Sequence, residues 1–296
     1  MRWAEVALVT ELEAAETVAD ILISEGCGGV AAADSSARVK GRLRAKTRLA
    51  AYFPVDERLP ATLDRIKTRI ESLTDFGPND ARGEMTVKFV EDADWAEAWK
   101  SFFKPVVVGG IVIKPTWEEF DAQPGQVVVE LDPGMAFGTG NHPTTRMCLS
   151  AMRKYLKPGG VVLDMGCGSG ILAIAAARLG ASMALGIDVD PVAVKAAAEN
   201  VQTNGVGSVV EIAQGDWPEA VVIEADLAFA NIAADAIVGM RESLANALKP
   251  GGVLVSSGII DERREQVETA LQQSGLKTIE TLHEGEWVSI ISRRER

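Results

Sequence analysis

Apolar positions in residues 1–90 describe a small α/β unit. Trp3 to Val9 suits a strand, and Glu11 to Ser24 suits a helix carrying Leu12, Ala15, Val18, Ala19 and Leu22 on its apolar positions. Gly26 to Gly29 ends that helix, because glycine tolerates the left-handed cap. Val30 to Ala33 and Thr47 to Phe53 are predicted strands, separated by the basic stretch RVKGRLRAK. Leu59, Leu63, Ile66, Ile70 and Leu73 repeat at helical spacing, and Met85 to Val90 closes the unit with a strand. The order β-α-β-β-α-β is that of the split βαβ, ferredoxin-like sandwich.

The pattern then changes. In EDADWAEAWKSFFKP (91–105), Trp95, Trp99 and Phe102 lie on one face of a short helix, as an interdomain strut would place them. Val106 to Lys114 and Val127 to Leu131 are predicted strands. From Val161 onward, short apolar runs alternate with helical stretches. The runs are Val161 to Met165, Met183 to Ile187, Val209 to Ile212, Leu227 to Ala230 and Val253 to Ser256; the helices include Ile171 to Leu179 and Val192 to Asn204. Such alternation predicts a parallel sheet covered by helices on both faces. Lys277 to Leu282 and Trp287 to Ser292, joined by Glu284-Gly285-Glu286, add a terminal hairpin.

Two glycine-rich stretches carry the candidate chemistry. In VVLDMGCGSGILAIAAARLGA a buried strand runs into Gly166, Gly168 and Gly170, and a helix of small residues follows. Glycines let the backbone approach a ligand where a Cβ would collide, and the helix start offers free N–H groups. The spacing is GxGxG; the dinucleotide fingerprint GxGxxG would need glycine where Ile171 stands. Asp164 would crowd a pyrophosphate but can accept hydrogen bonds from a cationic ligand. Asp188 ends the next strand about 20 residues on, the usual distance for a carboxylate that grips ribose hydroxyls. Together these features indicate S-adenosyl-L-methionine rather than NAD. The structural alternative uses the glycines for turns and Asp188 as a helix cap.

Asn231 emerges from the strand in ADLAFANIAAD, at the carboxyl edge where ligands of open α/β sheets bind. Its amide and the carbonyls of Asn231 and Ile232 can accept hydrogen bonds from an amine nucleophile; alternatively Asn231 caps the following helix. The other glycine-rich stretch, DPGMAFGTGNHPTT (132–145), holds His142, one of only two histidines.

Composition narrows the class. Charged residues make up 24 % and hydrophobic residues 47 % of 296 residues, an ordinary globular balance. Cys27, Cys148 and Cys167 have no CxxC spacing, and two histidines cannot build a conventional zinc site. No apolar run approaches the roughly 18 residues of a membrane span, and the amphipathic, acidic N-terminus is unlike a signal peptide. These features predict a reduced, cytoplasmic protein without structural metal. The formal net charge of −12 disfavours nucleic-acid phosphates; it would attract a basic partner, or it serves solubility alone.

DPGMAFGTGNHPTT, VVLDMGCGSGILAIAAARLGA, GIDVDP and ANIAA, in this order behind a βαββαβ unit and DWAEAWKSFFKP, strongly resemble the PrmA family, the methyltransferases of large-subunit ribosomal protein eleven. The resemblance covers essentially the whole chain. It implies a class I, seven-stranded, Rossmann-like α/β methyltransferase domain (116–296). A small ferredoxin-like α+β domain (1–90) recognises the substrate, and a linker (91–115) lets that domain reposition. It implies methyl transfer from S-adenosyl-L-methionine to lysine side chains and the N-terminal α-amine of a basic ribosomal protein, by a monomer that binds neither nucleic acid nor membrane. Thr145, Gly166, Asp188 and Asn231 would contact the cofactor, with the FGTGNH loop over its methionine end.

The residue chemistry fits these roles. Phe137 can wall the cofactor, Gly138 and Gly140 keep the channel wide, and Asp164 and Gly168 belong to the cofactor loop. Thr144 or Thr145 can cap the following helix or hydrogen-bond the cofactor carboxylate. His142 is either a general base or a group that holds the loop closed. Asn231, His142 and Thr144 are the candidate catalytic residues. Other readings are a lysine methyltransferase for another protein, or a regulator that binds the cofactor without turnover.

Overall fold

The computed structural model describes residues 2–11, 15–27, 30–39, 42–73, 85–91, 104–132, 140, 142–215 and 224–295. The chain divides into two compact units, Met1–Lys104 and Pro105–Arg296.

The first unit contains β1 (Arg2–Glu11), α1 (Ala15–Ser24), β2 (Val30–Val39), β3 (Arg42–Pro54), α2 (Leu59–Glu71) and β4 (Thr86–Glu91). Its sheet has the order β2-β3-β1-β4, with β1 antiparallel to both neighbours, which is the order of the split βαβ sandwich. Ala4, Val6 and Leu8 point to one face of β1 and pack with Val18 and Leu22 of α1 and Ile66 and Ile70 of α2. Period two on the strand and period four on the helices converge on one core. Most of the basic stretch is strand: residues 38–39 end β2 and 42–46 begin β3, with Arg38 paired with Leu43 and Val39 with Arg42. Backbone hydrogen bonds carry the strands through polar sequence, where a search for apolar runs stops short. The aromatic segment expected to form a strut lies outside the described residues over 92–103.

The second unit opens with a three-stranded sheet of β5 (Val106–Val108), β6 (Ile111–Lys114) and β7 (Val127–Glu130). One strand was expected over 106–114. Gly109 and Gly110, at φ 56° and 82°, instead turn it into the β5–β6 hairpin. Then follow α3 (Pro143–Tyr155), β8 (Val161–Met165), α4 (Ile171–Arg178), β9 (Met183–Asp188), α5 (Pro191–Thr203) and β10 (Val210–Gln214). β11 (Ala225–Asn231), α6 (Ala234–Asn246), β12 (Leu248–Ile260), α7 (Arg264–Gln273), β13 (Leu276–Glu284) and β14 (Trp287–Arg294) complete the unit.

The seven-stranded sheet has the order β10-β9-β8-β11-β12-β14-β13. β8 to β12 are parallel where they pair, and β14 runs antiparallel to β12 and β13. Strands buried on both faces read as continuous apolar runs. One face packs Val162, Phe229 and Val255 against α3, α4 and the small sheet; the other packs Leu163, Ala228 and Leu254 against α6 and α7. The strand order reverses between β8 and β11, so the crevice beyond their carboxyl ends is where this architecture places a ligand.

Phe229, fully buried in the centre of β11, tests that layering. Phe229→Ala is expected to lower the unfolding free energy by about 3–5 kcal/mol, read from urea denaturation midpoints.

Candidate functional site

The turn after β8 is built by hydrogen bonds to the end of β9. Gly166 N–H and Cys167 N–H both donate to the Ile187 carbonyl, at 2.8 and 3.0 Å. Gly168 N–H donates to Asp188 Oδ2 at 2.9 Å, and Asp190 N–H to Asp188 Oδ1 at 3.0 Å. Gly166 and Gly168 have φ of 70° and 52°, a region costly for other residues. A Cβ on Gly166 would also overlap Ile232 Cγ2, so the loop lies directly against the segment that follows β11. Asp188 is not the cap of α5. Asp190 takes that place, its Oδ1 accepting Val192 N–H at 2.8 Å. With one oxygen on each loop N–H, the Asp188 carboxylate keeps further lone pairs for ligand hydroxyls.

Asp164 is 1 % exposed, and neither of its oxygens has a full hydrogen-bond partner among the described residues. Burial pushes its pKa up to about 7; the Ala173 backbone N–H tempers the rise and the Asp188 charge reinforces it. An orphaned, buried carboxyl beside a glycine cradle fits a cationic ligand, which would supply the missing partners. Cys167 lies in the same loop, yet burial raises its thiol, and Asp164 and Asp188 raise it further. It is a packing group, not a thiolate nucleophile.

The second wall of the crevice is the first turn of α3. His142 is its N-cap: Nδ1 accepts Thr144 N–H at 3.3 Å and lies 2.7 Å from Thr144 Oγ1. The cap is therefore the histidine, not either threonine. The His142 ring meets the Trp287 indole edge-on, with centroids 5.0 Å apart. Arg146, one turn along, pairs with Glu284 of the same hairpin. Thr144 and Thr145 are each 1 % exposed. Ser257 Oγ reaches the Thr144 carbonyl at 3.2 Å and Ser289 Oγ at 2.6 Å.

Asn231 does not cap α6, whose N-cap is Ala233. Its Nδ2 instead points to Thr145 Oγ1 at 3.5 Å, joining the end of β11 to α3. With the amide nitrogen so directed, Oδ1 is left to accept a hydrogen bond from an incoming amine. Thus Thr144, Thr145, Asn231 and His142 gather on one side, and Asp164, Gly166, Gly168 and Asp188 on the other. Gly140 adopts φ 86°, and a Cβ there would sit 3.2 Å from Ile113. Close packing on β6 accounts for that glycine. Phe137 and Gly138 lie outside the described residues. Sequence reasoning missed Trp287, Ser257, Ser289 and Gly258 as parts of this edge; the run SSG at the end of a strand beside Asn231 was the available signal.

The switch-point crevice, the GxGxG turn after β8 and the carboxylate after β9 define a class I methyltransferase that depends on S-adenosyl-L-methionine. Residues 2–295 match the family model described as ribosomal protein L11 methyltransferase (PrmA), and the chain belongs to that family. The ribosomal protein L11 methyltransferase of Alkaliphilus oremlandii is 42 % identical over 309 residues, covering 99 % of each chain. That of Pelotomaculum thermopropionicum is 41 % identical over 319 residues, again covering 99 % of each. A crystal structure of ribosomal protein L11 methylase from Lactobacillus delbrueckii subsp. bulgaricus superimposes with a TM-score of 0.59 at 31 % identity. It covers 63 % of this chain and 96 % of that one.

Two outcomes follow from the site geometry. The raised Asp164 keeps its proton in the folded chain over a range where the unfolded chain, near pKa 3.9, has lost it. Stability of the ligand-free protein should therefore fall as pH rises from about 4 towards 7, by up to about 4 kcal/mol from this group. Asp164→Asn should flatten that fall in urea midpoints measured across the window. Ser257→Ala removes the tie to Thr144 and leaves Ser289 without that partner. It should cost about 1–2 kcal/mol of stability and lower turnover; unchanged steady-state kinetics would refute the tie's importance.

Proposed function

We propose that this protein transfers methyl groups from S-adenosyl-L-methionine to lysine side chains and the N-terminal α-amine of ribosomal protein L11. The observation that carries the proposal is Asn231. It ends β11 at the switch point, its amide nitrogen is turned to Thr145, and its acceptor oxygen remains for an amine. The relatives' names point to the same substrate.

When bound, S-adenosyl-L-methionine supplies an electrophilic methyl carbon and takes no proton. The chain's own residues have three tasks. Gly166, Gly168 and Asp188 hold the donor, and Asp164 offers buried negative charge to a cationic group. Asn231 and the neighbouring backbone carbonyls orient the amine and keep its lone pair directed at the methyl carbon. A lysine amine, with a usual pKa of about 10.4, must also shed a proton, and desolvation beside the donor's sulfonium charge favours its neutral form.

His142 is assigned a positioning role. Its Nδ1 is engaged with Thr144 and its ring with Trp287, so it braces the start of α3. The deprotonated amine is supplied by exchange with water. The βαββαβ unit is assigned to substrate recognition, and the residues after it, up to Lys104, to joining it to the methyltransferase unit. A chain of net charge −12 suits a basic ribosomal protein electrostatically. The protein works as a cytoplasmic monomer on this reading.

The test incubates the protein with isotopically labelled S-adenosyl-L-methionine and purified ribosomal protein L11, then maps the label by mass spectrometry. Label is expected on lysine Nζ atoms and the N-terminal amine. Label on other atoms, or donor binding without transfer, would sink the assignment.

A further inference from the structure

The amino ends of the parallel strands carry a feature that the methyl-transfer site does not use. The sequence LKPGGV occurs twice, at 156–161 and 248–253. Each copy makes the turn that starts a strand, the first β8 and the second the body of β12, and these strands flank β11 on either side. Gly159 and Gly251 occupy corresponding places at φ 77° and 82°. The two copies set Lys157 and Lys249 around Asp226, the second residue of β11. Together with Lys154 at the end of α3 and Arg293 on β14, they line a cavity of about 490 Å³. Strands rising about 3.3 Å per residue put this cavity a full strand length from the cofactor turn.

Charge bookkeeping leaves this cavity positive. Asp226 is satisfied: its Oδ2 accepts Val161 N–H and Lys249 Nζ, both at 2.8 Å. Lys154 is paired with Glu280 at 2.7 Å. Lys157 and Arg293 make no hydrogen bond or ion pair among the described residues, and both are exposed on the cavity. Among the described residues four cations thus converge where two carboxylates are paired with them, on a chain whose net charge is −12. Like charges held together repel, and a multivalent anion relieves that repulsion. Arginine offers a planar fork for tetrahedral oxyanions, and lysines add point charges that tolerate different oxygen positions.

We propose that the cavity between the two LKPGGV turns is a binding site for a phosphorylated anion, held chiefly by Lys157 and Arg293 with Lys249 and Lys154 at its rim. The methyl donor carries no phosphate, so this site takes a different ligand. Its volume is within the range of small-molecule sites, about 300–1,000 Å³, and suits a diphosphate or nucleotide better than an extended polymer face. The same oxyanion chemistry could be presented by the backbone of RNA.

The test titrates the full chain at low ionic strength with inorganic diphosphate, with adenosine diphosphate and with a short single-stranded RNA, by calorimetry. Saturable binding of one equivalent is expected. The double variant Lys157→Gln with Arg293→Gln should weaken it at least about tenfold, the equivalent of about 1.4 kcal/mol. Affinity for S-adenosyl-L-methionine should not change, which separates this site from the methyltransferase crevice. Binding of diphosphate and nucleotide identifies free phosphorylated ligands as the source, whereas binding of RNA alone identifies a polymer backbone. No saturable binding of any probe, or full affinity in the double variant, overturns the proposal.

Discussion

Ile232 is the contact on which the reactive edge depends. It follows β11 and sits between two glycines that belong to two other strand ends. A Cβ on Gly166 would overlap its Cγ2, and a Cβ on Gly258 would lie 2.6 Å from its carbonyl oxygen. Its own N–H donates to the Ser257 carbonyl at 3.2 Å. The turns after β8 and β11 and the irregular stretch of β12 at Gly258 therefore meet at a spacing that only glycine permits on two sides. In the function proposed above, where Gly166 holds the donor and Asn231 the amine, this one close approach sets the two against each other. A side chain at either glycine would move the two halves of the site apart, and methyl transfer tolerates little misalignment.

The same edge is where the molecule departs from its most stable arrangement. Most polar groups there are tied: Ser257 with Ser289 and Thr144, His142 with Thr144, Asp188 with two backbone N–H groups. Among the described residues Asp164 is the charged exception, buried with neither oxygen fully paired. Such a group is destabilising by itself and persists where a ligand answers it. The tied groups make a rigid frame, and the untied one concentrates the frame's attraction on a positively charged guest. In the function proposed above, rigidity matters because the side chains position the amine and do not move its proton. Its contribution is to hold directions and exclude alternatives.

Much of this was legible in the sequence, and the omissions have a common physical origin. The parallel strands declared themselves as short apolar runs because both faces are buried. The glycine turn after β8 declared itself because three close glycines, a preceding aspartate and a carboxylate about 20 residues on are all local signals. Strand limits in polar sequence were missed: residues 34–39 and 42–46 are held by backbone pairing, which leaves no apolar trace. The β5–β6 hairpin was missed because valines and isoleucines on both sides of Gly109-Gly110 conceal a turn. The role of His142 could not be read from its neighbours, since Trp287 lies far along the chain and arrives only when the terminal hairpin folds beside α3. Long-range contacts of this kind carry no periodicity.

The opposite edge of the sheet supplies the counterpart to Ile232. Asp226 accepts hydrogen bonds from the backbone at the start of β8 and from the lysine at the start of β12, while itself standing at the start of β11. Burial alone would raise its pKa; Lys249, the Val161 N–H and the more distant Lys157 together hold it below the usual carboxylate value. Its charge therefore persists across neutral pH and fixes the mutual register of three central strands. In that register Phe229 lies opposite Asp164 and Ala230 opposite Met165, so Asn231 and Gly166 leave the sheet at the same level. One charged knot at the amino ends and one steric wedge at the carboxyl ends thus bear on a single quantity, the height at which the Gly166 turn and Asn231 face each other. Parallel strands have no tight turns between them to set that height, and side-chain ties at their ends do it instead.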